Sequence, residues 1–229
     1  MVPIVIMKIS VIIPTLNEEL HIEKTLQCVI KQERDYELYV VDGGSTDNTI
    51  AIAKRYASVI NSKRGRSVQM NAGARLCTGD VLLFLHVDTQ LPDDAFRELR
   101  KRMKDDTVAG GSFYIAFDSD NFILRGISFI TRFNFRLFHF GDQGLFVRRD
   151  IFQALHGYKG MPIMEDYDFY KRLRNQGKVI LIRLPVISSA RRFIRKGVLR
   201  QLLINKFVVL AYWAGVDIRT IKRFYDDKR

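Results

Sequence analysis

Over the first half of the chain, short apolar runs alternate with stretches whose apolar positions recur at helical spacing. Residues 9–13 form a β-branched run stopped by Pro14, and Ile22, Leu26, Val29 and Ile30 follow on one helical face. The order repeats with a strand at residues 36–41, a loop opened by Gly43 and Gly44, and a helix through Ile52 and Tyr56. A third strand at residues 58–60 leads to a helix carrying Asn71 and Gly73. Successive strand-loop-helix units predict an α/β fold with a parallel sheet whose loops gather on one edge. Residues 81–85 are five consecutive apolar side chains, too short for a membrane span and without helical spacing, so they predict a strand buried on both faces in mid-sheet.

Beyond that strand the pattern loosens. Residues 108–117 alternate enough for a strand, and the paired Gly110 and Gly111 would let a ligand approach the backbone. A break at residues 118–121 precedes a Phe-rich stretch, 122–140, in which Arg125, Arg132 and Arg136 separate the aromatics, as on a helix with one apolar face. Residues 141–149 predict a turn and a strand, with a helix from Asp150. Acidic residues 165–168 open a further helix that includes residues 170–173. Residues 198–215 are largely apolar, but Arg200, Asn205 and Lys206 interrupt them, which fits a packed or interfacial helix better than a span.

Composition narrows the picture. A chain of 229 residues suits one large domain, able to bury roughly 70% of its unfolded surface. Cys28 and Cys77 belong to no C-x-x-C pair, the pattern of thiols used as small core residues in a reducing compartment. The first seven residues lack the cleavage site of a signal peptide. The net charge of +12 is uneven: residues 189–229 hold eleven Lys and Arg against three Asp, a balance of +8, leaving +4 for the remaining 188 residues. Such a tail suits nucleic acid, an anionic membrane or a phosphorylated substrate, and charge does not choose among them.

Candidate chemistry lies at the strand ends. His86 and Asp88 are two residues apart as the buried strand leaves the core, where open α/β sheets place ligands. Asp88 suits a hard divalent cation whose shell is completed by phosphate oxygens, or a cap for the helix starting near residues 92–94. Asn17 is a candidate N-cap with Glu18 and Glu19 in the first helical turn. Asp42 ends the second strand, and Ser45 or Asp47 can cap the helix after it. The basic run Lys63-Arg64-Gly65-Arg66 lies on the same edge and suits a phosphorylated ligand.

Four of these segments, residues 10–18, 41–47, 64–73 and 79–88, each at a strand end and in order, resemble family-two glycosyltransferases of the GT-A fold, over residues 8 to about 185. The resemblance implies a Rossmann-like, mostly parallel central sheet flanked by helices, with a C-terminal helical extension. It implies a nucleotide-sugar donor, with Pro14, Thr15 and Glu18 lining the nucleoside pocket, Asp42 bonding the base, and Gly43, Arg64 and Asn71 on the donor side. Asp88 would hold a divalent metal, Mn2+ or Mg2+, that bridges the diphosphate. The family commonly has Asp-x-Asp there, whereas this chain has His86-Val87-Asp88, which leaves His86 either a second ligand or a ribose contact. Glu165-Asp166 matches the family's acidic pair, with Asp166 as general base and Glu165 orienting the acceptor or the loop. Gly111, Asp142 and Gln143 would face donor and acceptor, and Arg191 or Arg192 would close over the diphosphate.

The expectation is therefore an inverting, metal-dependent glycosyltransferase using a UDP- or GDP-sugar. It comprises a transferase domain, residues 1–187, and a basic helical extension, 188–229, packed on it, at a dimer interface or at a membrane surface. Localisation is expected to be cytoplasmic or peripheral on the inner membrane face, with a lipid-linked acceptor within reach and no nucleic-acid partner. A nucleotidyltransferase of similar topology would need a glycine-rich basic loop after the first strand, and residues 14–18 are not one. A non-catalytic nucleotide-binding protein would have no use for both Asp88 and Asp166.

Overall fold

The computed structural model describes residues 6–133 and 141–227. Strands β1 (Ile9–Thr15), β2 (Tyr36–Asp42), β3 (Ser58–Asn61), β4 (Val81–Phe84), β5 (Thr89–Gln90), β6 (Val108–Phe117), β7 (Leu145–Arg148) and β8 (Lys178–Ser188) form one sheet in the order β3-β2-β1-β4-β7-β6-β8-β5. Neighbours from β3 to β4 pair in parallel, as do β6 and β8, while β7 runs antiparallel to both β4 and β6, and β5 to β8. The predicted parallel half is therefore present, and the second half is mixed.

Alternation along the strands sends side chains into two cores. Ile9, Val11, Ile13, Val81, Leu83 and Leu85 pack on one side against α1 (Ile22–Ile30) and α4 (Ala95–Met103). Ile12, Val41, Leu82 and Phe84 face α3 (Arg66–Ala74), α6 (Arg149–Ala154) and α7 (Glu165–Leu173) on the other. Because both faces are covered, β4 is apolar throughout rather than alternating. The remaining helices are α2 (Thr49–Ala53), α5 (Phe122–Thr131), α8 (Arg191–Lys196), α9 (Val198–Trp213) and α10 (Ile218–Asp227). The end of the predicted Phe-rich helix, residues 134–140, lies outside the described residues.

Several expectations change. β1 continues through Pro14 to Thr15, since proline still offers its carbonyl to a neighbouring strand. Asn17 does not cap α1, which begins after His21; it adopts a left-handed backbone with φ of 52° and spends its amide on the next loop. Asp88 does not cap α4; Asp94 precedes that helix. Gly110 and Gly111 admit neighbouring strands rather than a ligand: a Cβ on Gly110 would lie 2.3 Å from the Phe146 carbonyl oxygen, and one on Gly111 2.2 Å from that of Ile180. Gly111 thus belongs to the sheet and not to a binding surface.

Candidate functional site

The carboxyl ends of β1, β2 and β4, the turn before β7, the start of α7 and the segment after β8 supply the candidate residues. The β1 and β2 loops are laced together. Asn17 donates its backbone N–H to Ser45 Oγ and accepts from the Thr46 N–H through Oδ1, both at 2.8 Å, and Glu19 Oε2 accepts from the Asn48 N–H at 3.0 Å. Asp42 is buried and accepts from the N–H groups of Gly44 and Ser45 and from the Ser45 hydroxyl, so it sets the loop's shape. Asp47 accepts from the Thr49 N–H at 3.0 Å, but neither it nor Ser45 is the cap of α2: Asn48 holds that position, without a side-chain cap bond. Behind the loops Gln69 donates to the Thr15 and Val41 carbonyls at 2.7 and 2.8 Å, beside Gly43.

Pro14 and Thr15 are buried at the inner end of this surface, and two polar atoms here have no partner among the described residues, Thr15 Oγ1 and Glu18 Oε2. Buried polar groups are nearly always hydrogen-bonded, so two such atoms, at the end of β1 and just past it, are unusual. Arg64 is exposed on the loop before α3. Asn71, expected on the donor side, is a structural clasp: it donates to the Tyr158 carbonyl at 2.8 Å and accepts from the Tyr158 N–H at 2.9 Å.

Past β4 the charges interlock. His86 Nδ1 lies 2.7 Å from Asp142 Oδ1, while its buried Nε2 has no hydrogen-bond partner among the described residues and stands 3.7 Å from Asp166 Oδ2, within ion-pair distance but beyond hydrogen-bond range. Burial and the charge of Arg66 work to lower the His86 pKa, but the hydrogen bond and charge of Asp142, aided by Asp166, raise it from 6.5 to about 9. For Asp142, burial is outweighed by the bond and charge of His86, which hold the carboxyl well below its usual range. Arg66 Nη1 reaches Glu165 Oε1 at 3.2 Å and lies 3.9 Å from Asp166 Oδ2. Burial raises the Glu165 pKa against the pull of Arg66, and the charge of Asp166 pushes it the same way. Asp166 thus opens α7 flanked by an arginine and a histidine. The residue before the pair, Met164, is held at φ of 65°, a conformation costly outside glycine and concentrated at functional sites.

Asp88 is engaged by Arg191, whose Nη2 donates to Asp88 Oδ2 at 3.2 Å and to Glu18 Oε1 at 2.8 Å. Asp88, Asp142, Ser189, Arg192, Phe193 and Asn205 line a small open cleft. Arg192 donates to the Tyr225 hydroxyl at 3.2 Å. Gln143 turns inward and is buried, 3.4 Å from Ser112 Oγ. Asp168 is paired with Lys159 and Arg172.

Metal fit rests on Asp88. Among the described residues no group of three His, Cys, Asp or Glu side chains is arranged to hold a metal. A single carboxylate nonetheless fits a hard cation that takes the rest of its shell from substrate phosphates and water. The His86 ring fits less well, because its bond to Asp142 favours the protonated form, which has no lone pair to give.

Sequence reasoning missed Arg66, Gln69, Met164 and Asn205. Arg66 stood in the quoted basic run, but spacing cannot say which arginine turns inward. Asn205 had a signal, as a polar interruption in an apolar helix.

Residues 10–202 match the sequence profile of glycosyl transferase family 2. The PGL/p-HBAD biosynthesis glycosyltransferase of Mycobacterium tuberculosis (strain H37Ra) is 30% identical over 213 residues, covering 86% of this chain and 80% of that protein. The undecaprenyl-phosphate 4-deoxy-4-formamido-L-arabinose transferase of Proteus mirabilis is 32% identical over 105 residues, 40% of this chain and 32% of its own. Among solved structures, the mannosyltransferase PcManGT of Pyrobaculum calidifontis, in complex with GDP-Man and Mn2+, superposes with a TM-score of 0.65 at 21% identity, over 80% of this chain and 56% of that one. TarS of S. aureus gives 0.68 at 18% identity, over 85% and 39%. The fold is that of GT-A transferases with a C-terminal helical part.

Proposed function

Because the chain belongs to glycosyl transferase family 2, we propose that it is an inverting enzyme, moving a sugar from a UDP- or GDP-linked donor to an acceptor hydroxyl with Mn2+ or Mg2+. The observation that carries this reading is Asp166, a carboxylate at the start of α7 set between His86 and Arg66. A hydroxyl is a poor nucleophile until a positioned base takes its proton, and Asp166 is the group offered for that step. The acceptor oxygen then bonds to the anomeric carbon on the face opposite the departing diphosphate, and the proton stays on Asp166. Glu165 holds Arg66 in place, and His86, fixed by Asp142, acts on the Asp166 carboxylate through charge at 3.7 Å. Thr15 and Glu18, with Pro14 beside them, receive the nucleoside through their unpaired polar atoms. Asp88 would hold a divalent cation, whose chemistry there would be to supply positive charge against the negative charge that builds on the leaving group. Arg191 and Arg192 stand by to take up the same charge. GDP-Man and Mn2+ in the Pyrobaculum structure support a nucleotide-sugar donor and a metal.

Steady-state kinetics with a panel of nucleotide sugars tests the assignment. Asp166→Asn keeps shape but cannot accept the proton, so kcat falls on the order of a hundredfold with donor affinity nearly unchanged. Glu165→Gln, which leaves the base in place, costs less. Full activity in Asp166→Asn would overturn the role.

A further inference from the structure

Helix α9 is apolar on two opposite sides. Ile204, Val208 and Ala211, with Gln201, are buried against the protein. Leu199, Leu203, Phe207, Leu210 and Trp213 recur at steps of three and four on the other side and are 65%, 68%, 50%, 54% and 55% exposed. Ile194 of α8, just before, is 66% exposed. A helix apolar all round belongs inside a core or against lipid. Only one side of this one has a core; on the other, Phe207 meets Phe224 of α10 and Trp213 meets Tyr167 of α7, yet both rings stay at least half exposed, as do Leu199, Leu203 and Leu210.

Charge selects the occupant. Arg195, Arg200, Lys206, Arg219 and Arg223 are exposed on α8 to α10, and Lys206 falls within the apolar stripe itself, where its long stem can lie along apolar surface with the ammonium in the polar layer. A second copy of the chain would bring these same cations together, whereas an anionic lipid surface complements them. No helix among the described residues is long and apolar enough to cross a membrane, so contact is by lying on the surface. Asn205, on the flank of the same helix, lines the cleft with Asp88 and Asp142.

We propose that the outward face of α8 and α9 docks onto an anionic phospholipid surface. Resting on the transferase reading above, this places the cleft within reach of acceptors carried on lipid. Flotation of the full chain with phosphatidylcholine vesicles, with and without phosphatidylglycerol, tests the docking. The wild type floats with the anionic vesicles at low salt, is released by high salt and ignores the neutral ones. Leu199→Glu/Leu203→Glu, on exposed positions, lowers the bound fraction by at least an order of magnitude, and Arg195→Glu/Arg200→Glu does so through charge alone. Both variants keep the thermal stabilisation by nucleoside diphosphate, so a failure of docking is separable from a failure of the transferase reading. The proposal is overturned if the wild type does not float at low salt, if it floats equally with neutral vesicles, or if both variants float unchanged. Sedimentation velocity showing a dimer that Leu199→Glu/Leu203→Glu dissociates, without vesicle binding, would assign the face to a second copy.

Discussion

Asp88 shows how a single side chain can be legible in type and still hold a surprise in its partner. Its position at the end of a buried strand was plain from the apolar run before it, as was that of Asp166 at a helix start. The guanidinium that sits on it comes from Arg191, 103 positions away, a distance at which no local pattern speaks. Asn71 failed for the same reason: the residue type suited a ligand, but Tyr158, 87 positions on, takes both ends of its amide. If Asp88 is the metal ligand, Asp88→Ala removes the metal-dependent part of stabilisation by nucleoside diphosphate. In the wild type with metal present, nucleoside diphosphate at 100 times its dissociation constant stabilises by about 2.7 kcal/mol in all. Thermal melts with and without Mn2+ read it, and an equal shift in both proteins would reassign the site.

At the scale of elements, strands were easier to foresee than their neighbours. The parallel half follows from repeated units, but the antiparallel insertion of β7 between β4 and β6 depends on pairings across long loops, which periodicity does not encode. Opposite the site, Glu37 of β2 gathers β1 and the turn before β4, accepting from Ser10 Oγ, the Thr78 and Gly79 N–H groups and, at 2.9 Å, pairing with Lys8 Nζ. Burial works to raise its pKa, yet these bonds bring it from 4.5 down to about 2. A depressed carboxylate contributes stability that is present above its unfolded pKa and lost as pH falls through the folded one. As pH falls from 4.5 towards 2 the protein therefore loses stability through this group. Denaturant titrations across that range check it, and Glu37→Gln removes that part of the slope.

For the molecule as a whole, residues 188–229 do more than follow the domain. Ser189 and Ala190 donate backbone N–H groups to the Asp88 carbonyl at 3.1 Å and to Asp118 Oδ1 at 2.6 Å. Val208, Ala211 and Ile221 pack on Ile163 and Met164 just before the acidic pair, and Trp213 Nε1 donates to the Tyr167 hydroxyl at 2.8 Å. Charge and apolar content marked this segment in the sequence, but its grip on α7 could not be read there. Deleting residues 188–229 is expected to abolish transfer while leaving a cooperatively folding chain of lower Tm; full turnover by the shortened chain would show the tail dispensable.

β5 follows Asp88 directly, yet it hydrogen-bonds with β8, where Thr89 aligns with Ser188. On the ribosome, β1 to β4 can come together as they emerge, whereas the segment after Asp88 must wait for a partner made roughly a hundred residues later, about 5–20 s at ordinary elongation rates. A nascent chain thus carries a finished parallel half of the sheet and an unfinished mixed half. The edge of the sheet beside Asp88 is therefore closed only once residues 178–188 have emerged.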